Sequence, residues 1–204
     1  MSEVPNANSA GRWRLFLAIS IPEEVKTKIE RAQVALRDDL EAGRVRWTPR
    51  EQLHLTLHFL GDVLAPDAGP LTEAVRVACR GFSPFHLRAE RIGFFPNARR
   101  PRVVWVGVRD RRDDLPRLQR ALVAAARLFS PETAKEDFTG HVTLGRVKSL
   151  SHSENERLAK LAGGMADSFF GEWTACQVEL FRSELSAKGA VHTLLAGAAF
   201  GSGM

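Results

Sequence analysis

The sequence HLTLHFLG occupies residues 54–61. Its leucines alternate with His54, Thr56 and His58, and a hydrophobic period of two predicts a β-strand. Side chains at positions i and i+2 of a strand project from the same face. We therefore expect His54, Thr56 and His58 to share one face of a sheet, while the leucines enter a core.

A second stretch of the same kind, HVTLGRV, begins at His141, 87 positions after His54. Random placement of the 6 histidines, 9 threonines and 23 leucines in 204 residues predicts only about 0.03 copies of His-x-Thr-Leu. Two copies, both in predicted strands, are therefore a strong signal. His141 and Thr143 are expected to project together, as His54 and Thr56 do.

Two imidazoles and two hydroxyls in one cleft suit the cleavage of a phosphodiester without a metal ion. A neutral imidazole accepts a proton from water, and a protonated one gives a proton to the departing alkoxide. Both forms are available at neutral pH because the ordinary pKa of imidazole is about 6.5. The attacking and leaving oxygens lie on opposite sides of phosphorus, so the base and the acid must do so too. Threonine hydroxyls can donate to the non-bridging oxygens, and a guanidinium can offset their charge.

Other uses of histidine fit the sequence less well. Metal sites usually combine three or four ligands, often with carboxylates or thiolates, and the acidic residues near the two stretches have no repeated spacing. No Gly-x-Ser-x-Gly elbow is present for a serine hydrolase. Two structural histidines, each satisfied within the sheet, remain the alternative for His54 and His141.

The composition describes a globular chain with an excess of positive charge. Its 204 residues suit one large domain or two small lobes, and no apolar run reaches the roughly 18 residues that span a bilayer. Residues 1–11 are expected to form a flexible polar tail without a signal region, which predicts a cytoplasmic protein. A net charge of +5 with 23 arginines favours an anionic partner such as RNA, although genome bias gives the same composition. Two cysteines without a Cys-x-x-Cys pair do not predict a zinc knuckle.

Strand and helix patterns are mixed along the chain, with several hairpin connections. That mixture favours an α+β fold with antiparallel sheets over a parallel doubly wound fold. Besides the two histidine strands, the predicted strands are residues 13–20, 44–47, 85–95, 102–108, 174–185 and 190–200, and the predicted helices are residues 22–43, 71–80, 113–129 and 154–161. Residues 62–70 are expected to form a loop, and SAKG at 186–189 the last hairpin turn.

The duplicated motif resembles the two-histidine (2H) phosphoesterase superfamily. The chain is similar, more narrowly, to the RNA 2',3'-cyclic phosphodiesterases, also called the 2'-5' RNA ligase family. The supporting stretches follow the family's order: RLFLAISIPEEV (14–25), RWTPREQLHLTLHFLGDV (46–63), FFPNARRPRVVWVGV (94–108), HVTLGRVK (141–148) and ELFRSELSAKGAVHTLL (179–195). The resemblance implies a single bilobal α+β domain over residues 12–204. It also implies two antiparallel sheets with flanking helices, related by pseudo-twofold symmetry around a central cleft.

The resemblance further implies the reaction, which is metal-independent hydrolysis of an RNA 2',3'-cyclic phosphate to a 2'-phosphomonoester. His54 corresponds to the proton donor and His141 to the proton acceptor, and no cofactor is expected. Thr56 and Thr143 would bind phosphate. Arg146 matches the family's arginine after the second motif, but strict alternation places it opposite His141, so a bulge near Gly145 would have to turn it towards phosphate.

Further residues are expected around the cleft. An aromatic ring and guanidinium groups can stack a base and hold phosphates, which makes substrate-binding candidates of Phe16, Phe95, Arg99, Arg100 and Arg102. His58 is a further candidate because it is expected to share the face of His54. Gly140 stands where the family usually has proline, so a looser entry to the His141 strand is expected. The remaining histidines, His86, His152 and His192, lack the motif and are interpreted as incidental.

The expected partner is RNA with a 2',3'-cyclic phosphate end, or a cyclic nucleotide, and the chain is expected to be a monomer without membrane contact. Two alternatives stay open. The first is an enzyme that works mainly in the joining direction, forming a 2'-5' linkage. The second is a nucleotide- or RNA-binding module without catalysis, against which the intact histidines and threonines argue.

Overall fold

The computed structural model describes residues 11–130, 138–186 and 189–201, so residues 1–10 of the predicted tail lie outside the described part. The described chain contains nine strands and four helices. The strands are β1 Arg12–Ser20, β2 Val45–Trp47, β3 His54–Leu64, β4 Phe85–Phe95, β5 Val103–Arg109, β6 His141–Val147, β7 Phe169–Ala175, β8 Gln177–Ser186 and β9 Gly189–Ala199. The helices are α1 Glu23–Asp38, α2 Ala68–Cys79, α3 Asp114–Ala126 and α4 His152–Gly164. Single 3₁₀ turns precede β3 and α2.

The nine strands form one curled antiparallel sheet, in the order β7-β4-β5-β6-β3-β1-β8-β9, with β2 paired to β6. The two halves of this sheet meet where β3 pairs with β6 at Leu55 and Val142. The expectation of a mixed α+β fold with antiparallel pairing is therefore confirmed. The described strands form one sheet rather than the two that were expected, because the two motif strands pair with each other and join the halves.

The helices and one face of the sheet share a hydrophobic core. Leu15 and Leu17 of β1 point into it and are fully buried, as are Ile29 of α1 and Leu118 of α3. Burial of each such side chain stabilises the fold by about 1.5–3 kcal/mol. The alternation that sends these leucines inward leaves the opposite face of the central strands free for polar residues.

The helices occupy the predicted regions but differ at their ends. Helix α1 ends at Asp38, before the predicted Gly43, which instead has a φ of +81° in the turn that leads to β2. Helix α4 continues through Gly164 and begins with a capping box between Ser151 and Glu154. No helix in the described ranges is long and apolar enough to cross a membrane.

Two strand predictions were wrong in their extent. Strand β3 continues to Leu64, into the predicted loop, because its second half pairs with the start of β1. The predicted strand at residues 174–185 is divided at Cys176, where β7 ends and β8 begins. The greater part of β7, residues 169–173, was not predicted as a strand, and β7 lies at the sheet edge beside β4.

Candidate active site

The two motif strands lie side by side and run antiparallel at the middle of the sheet. Their paired residues, Leu55 and Val142, hold the same place in the two motifs, one position after each histidine. An antiparallel register centred on equivalent residues places each histidine across from the threonine of the other motif. Leu55 and Val142 are fully buried, whereas the histidines and threonines are partly exposed on the opposite face. The pairing therefore brings two imidazoles and two hydroxyls together.

A cavity of about 250 Å³ opens on this face, and its lining includes His54, Thr56, Thr143 and Arg146. His141 does not line it but is close enough for its positive charge to oppose protonation of His54. A larger cavity, of about 520 Å³, lies beside the residues that precede β6 and is lined by none of the four motif side chains. The smaller cavity is therefore the candidate active site, and we call it the motif cavity.

The imidazole of His54 sits among other rings. It stacks on Phe16 with 4.9 Å between ring centroids, and Phe181 stacks on Phe16 in turn at 5.2 Å. Burial lowers the pKa of His54 from 6.5 to about 4, and the positive charge of His192 acts in the same direction. In the free protein His54 is therefore a neutral imidazole at neutral pH.

His141 is held by a hydrogen bond that selects its tautomer. Its Nδ1 lies 2.7 Å from the carbonyl oxygen of Thr139. Because a carbonyl only accepts hydrogen bonds, Nδ1 must carry the proton, and the lone pair of the neutral ring is on Nε2. Phe95 meets the ring edge-on at 4.9 Å, and Trp105 lies at 6.3 Å. This arrangement orients a basic nitrogen away from the backbone.

Arg146 reaches the motif cavity because β6 is irregular beside it. The register with β5 shifts between Gly145 and Thr143, so Leu144 is an extra residue in the ladder. Gly145 is required there, since a Cβ would lie 2.7 Å from Val45 and 2.9 Å from Trp47. The irregularity expected near Gly145 is thus present, and Arg146 lines the same cavity as Thr143.

Two further arginines, Arg14 and Arg46, also line the motif cavity and were missed in the sequence. Arg46 lies directly across from Arg146 in the β2–β6 ladder, whereas Arg14 belongs to β1. Within the described residues none of the three forms an ion pair with a carboxylate, so their positive charge is not offset there. Only the sheet pairing brings them together, since they are distant in sequence.

His58 is buried rather than placed in the cleft, contrary to prediction. The β1–β3 ladder contains a bulge at Leu57, because consecutive residues of β1 pair with Thr56 and His58. A bulge adds one residue to a strand and breaks the alternation of its side chains. His58 therefore lies beside a buried leucine of β1, and Phe59 takes the place on the cleft face.

The predicted arginines of the β4–β5 connection do not line the motif cavity. Arg99 and Arg100 are exposed, and their backbone N–H groups donate to Oδ1 of Asn97 at 3.0 and 3.2 Å. Arg102 is exposed as well, and its backbone bonds to Phe95 and Val147 on the neighbouring strands. The hairpin is therefore as predicted, while an RNA contact by these arginines stays a prediction.

Gly140 does not loosen the start of β6, contrary to expectation. Its carbonyl oxygen accepts a hydrogen bond of 2.8 Å from the backbone N–H of Val108. A Cβ at this position would collide with the carbonyl of Val108 and lie 2.8 Å from Leu115. The glycine permits a close approach of two chain segments, which holds the residue before His141 in place.

The interpretation of His192 as an incidental histidine is wrong. It lines the motif cavity from β9, and its ring meets Phe16 edge-on at 4.9 Å and His54 at 5.6 Å. His192 lies outside the repeated motif. Only the long-range pairing of β1, β8 and β9 brings it to the cavity, so knowledge of that pairing would have been needed to find it. His86 and His152 are exposed, and neither lines the cavity.

Comparisons with known proteins define the class to which this fold and site belong. The family described as LigT like Phosphoesterase matches residues 19–105. The crystal structure of TT0787 from Thermus thermophilus superposes with a TM-score of 0.75 at 29% identity, covering 93% of this chain and 98% of that one. E. coli LigT complexed with 3'-AMP superposes at 0.72 with 22% identity over 93% and 98%, which shows a shared fold.

Relatives in sequence narrow this class. A protein of Methanothermobacter thermautotrophicus named RNA 2',3'-cyclic phosphodiesterase is 34% identical over 182 residues, which cover 88% of this chain and 95% of that protein. A protein of the same name from Archaeoglobus fulgidus is 31% identical, covering 88% and 96%. The chain belongs to this family of LigT-like RNA 2',3'-cyclic phosphodiesterases, which confirms the resemblance seen in its sequence.

Proposed function

We propose that the chain hydrolyses the 2',3'-cyclic phosphate at the end of an RNA to a 2'-phosphomonoester. The observation that carries the proposal is the antiparallel pairing of Leu55 with Val142, which puts both His-x-Thr motifs on one face. Relatives named for this activity, similar over most of their length, support the substrate class. The same pairing supports a pseudo-twofold axis between the two halves of the sheet, because the residues joined across it are equivalent.

His141 is the proposed base and His54 the proposed acid. His141 takes a proton from water at Nε2 as the water oxygen forms its bond to phosphorus. The bond from phosphorus to the 3' oxygen breaks, and His54 supplies the proton that this oxygen needs. The products are a 3'-hydroxyl and a 2'-phosphomonoester, and the two rings have exchanged protonation states. The hydrogen bond from His141 to Thr139 supports the base role because it leaves the lone pair on Nε2.

The low pKa of His54 makes its acid role depend on substrate. With a pKa of about 4, His54 carries no proton at neutral pH in the free protein. A bound phosphate anion stabilises the imidazolium and lets the ring take up a proton in the complex. The anion would therefore create the acid that the reaction needs, and binding and protonation would be coupled.

Phosphate binding is assigned to the hydroxyls of Thr56 and Thr143 and to the guanidinium of Arg146. All three line the motif cavity with His54. Arg14 and Arg46, which line it as well, extend the positive charge beyond a single phosphate. Such an extension fits an RNA strand, whose next phosphate lies on the 5' side of the terminal nucleoside, and it supports RNA over a small cyclic nucleotide as the substrate.

The alternatives use the same cavity. In joining, the 5'-hydroxyl of a second RNA would replace water: His141 takes its proton as its oxygen forms the bond to phosphorus. The bond from phosphorus to the 3' oxygen breaks, His54 gives that oxygen its proton, and a 2'-5' linkage remains. A binding module without catalysis would need neither ring at a fixed tautomer. The expectations of a monomer in the cytoplasm and of a reaction without a metal ion are part of the same proposal.

Turnover of 2',3'-cyclic AMP and of an RNA with a 2',3'-cyclic end, both in excess chelator, tests the proposal. We expect a 2'-phosphate product, and a loss of kcat of at least about 100-fold in His54→Ala and in His141→Ala. His152→Ala, at the exposed start of α4, is the matched control. A 3'-phosphate product, abolition of turnover by chelator, or full activity in either site variant would refute the mechanism.

A further inference from the structure

The third histidine of the motif cavity, His192, has contacts that the two-histidine mechanism does not use. It lies on β9, opposite Ser183 of β8, and is brought to His54 by the curl of the sheet across β1 and β8. Its ring is edge-on to both Phe16 and His54, with interplanar angles of 78° and 89°. The imidazole is therefore fixed against rings that belong to the site.

The Nδ1 atom of His192 is buried and has no hydrogen-bond partner among the described residues. A buried polar atom without a partner destabilises a fold, so such atoms usually have a functional or structural explanation. A few other side-chain atoms of the described chain share this condition, but His192 is the one among them that lines the motif cavity. His192 lines the cavity while its Nδ1 is covered by protein atoms, so a nucleoside supplies the missing hydrogen bond where it displaces that cover.

The position of His192 indicates which part of the substrate it meets. In the sheet order His141 lies on β6, His54 on β3, and His192 beyond β1 and β8 on β9. His192 is thus on the opposite side of His54 from His141. If His54 protonates the leaving 3' oxygen, the ribose that carries this oxygen lies on the same side of the phosphate as His192.

We propose that His192 is a substrate-binding residue that recognises the terminal nucleoside through a hydrogen bond at its Nδ1. This inference rests on the proposed function, because it uses the assignment of His54 to the leaving-group side. The nucleoside offers ribose hydroxyls and base edges as partners, and the neighbouring Phe16 and Phe181 rings provide an apolar surface beside them. His192 would therefore contribute to the affinity for a nucleotide over a bare phosphate.

Two variants separate the hydrogen bond from the shape of the ring. His192→Phe keeps a flat ring without nitrogen, whereas His192→Asn places an amide near the position of Nδ1. The dissociation constants of adenosine 2'-monophosphate and of inorganic phosphate are measured by calorimetry for the wild type and both variants. We expect His192→Phe to weaken the nucleotide about tenfold, as expected for one lost hydrogen bond, and inorganic phosphate less than about twofold. His192→Asn should recover at least about half of the lost factor.

Thermal unfolding distinguishes a binding role from a purely structural one, because the two predict opposite changes in the melting temperature of His192→Phe. Because phenylalanine removes an unpaired buried atom, His192→Phe should melt at the wild-type temperature or up to about 3 °C above it. A structural histidine would instead show a lower melting temperature in this variant. The expected result is therefore weaker nucleotide binding at an unchanged or higher melting temperature.

Several outcomes would overturn the inference. They are wild-type nucleotide affinity in His192→Phe, equal weakening of nucleotide and inorganic phosphate, or no recovery in His192→Asn. Turnover of 2',3'-cyclic AMP by the wild type separates these failures from failure of the proposed function. An active enzyme whose nucleotide binding ignores His192 leaves the function standing, whereas a wild type that neither binds nor hydrolyses refutes both.

Discussion

Binding of a phosphate anion beside His54 should raise the pKa of its imidazole from about 4 to about 7. The pKa in the free protein is low because burial disfavours the charged ring, and His192, Lys26 and His141 add positive charge nearby. One negative charge about 4 Å from the ring, at an effective dielectric constant of about 20, stabilises the imidazolium by about 4 kcal/mol. Since about 1.4 kcal/mol corresponds to one pKa unit, this gain is about three pKa units, which fully offsets the depression of the pKa from 6.5 to about 4 in the free protein.

Nuclear magnetic resonance of the histidine side chains measures this change directly. The ring signals are followed from pH 3 to pH 9 in the free protein and in protein saturated with adenosine 2'-monophosphate, and His54→Asn assigns the signal. We expect a pKa near 4 in the free protein and near 7 in the complex. A pKa close to 6.5 in the free protein would show that burial does not lower the pKa of His54. A change of less than one pKa unit on binding would show that the phosphate does not raise it.

Three further predictions concern stability and RNA binding. The pKa of His54 is lower in the folded than in the unfolded state, so between about pH 6.5 and 4 the unfolded chain binds a proton that the native one does not. As the pH drops from about 7 to 4, the free energy of unfolding should therefore fall by about 3 kcal/mol more in the wild type than in His54→Asn. Urea titrations at both values test this, and equal losses would contradict it. Gly145→Ala should lower the free energy of unfolding by about 1–3 kcal/mol, because the added Cβ would crowd β2. Gly163→Ala in α4 is the control: its added Cβ would have no neighbour within 4 Å, and the variant should raise the free energy of unfolding by up to about 1 kcal/mol. The same denaturation assay compares the two, and a tolerated Gly145→Ala would refute the close packing. Arg46→Gln should weaken binding of an RNA with a 2'-phosphate end and reduce the slope of log affinity against log salt by about 1. Arg31→Gln, on the exposed face of α1, is the control and should change neither. An unchanged slope for Arg46→Gln in fluorescence titrations would show that Arg46 does not contact a phosphate of the RNA.

The positions of the central strands and of the motif side chains follow from periodicity alone. The alternation in residues 54–57 predicts that Leu55 is buried and that His54 and Thr56 share the other face, and the structure has this arrangement. The prediction succeeds because the direction of a side chain in a regular strand depends only on its neighbours in sequence.

The same periodicity was wrong where a strand is irregular. The bulge at Leu57 buries His58, which was expected on the cleft face, whereas a bulge beside Gly145 brings Arg146 into the cavity. A bulge depends on how two strands match in length and twist, and one strand read alone carries little sign of it. Glycine provided such a sign at position 145, and no comparable residue does so at Leu57.

Local order along the chain is enough to predict most of the strands and helices, the two His-x-Thr strands and the family, because each depends on neighbouring residues. Three contacts of the site depend on the folded molecule instead: Leu55 pairs with Val142, Arg14 and Arg46 join Arg146, and His192 meets His54. These contacts join residues far apart in sequence through the order and curl of one sheet. That order is set by the packing of the whole core, which no single stretch of the chain contains.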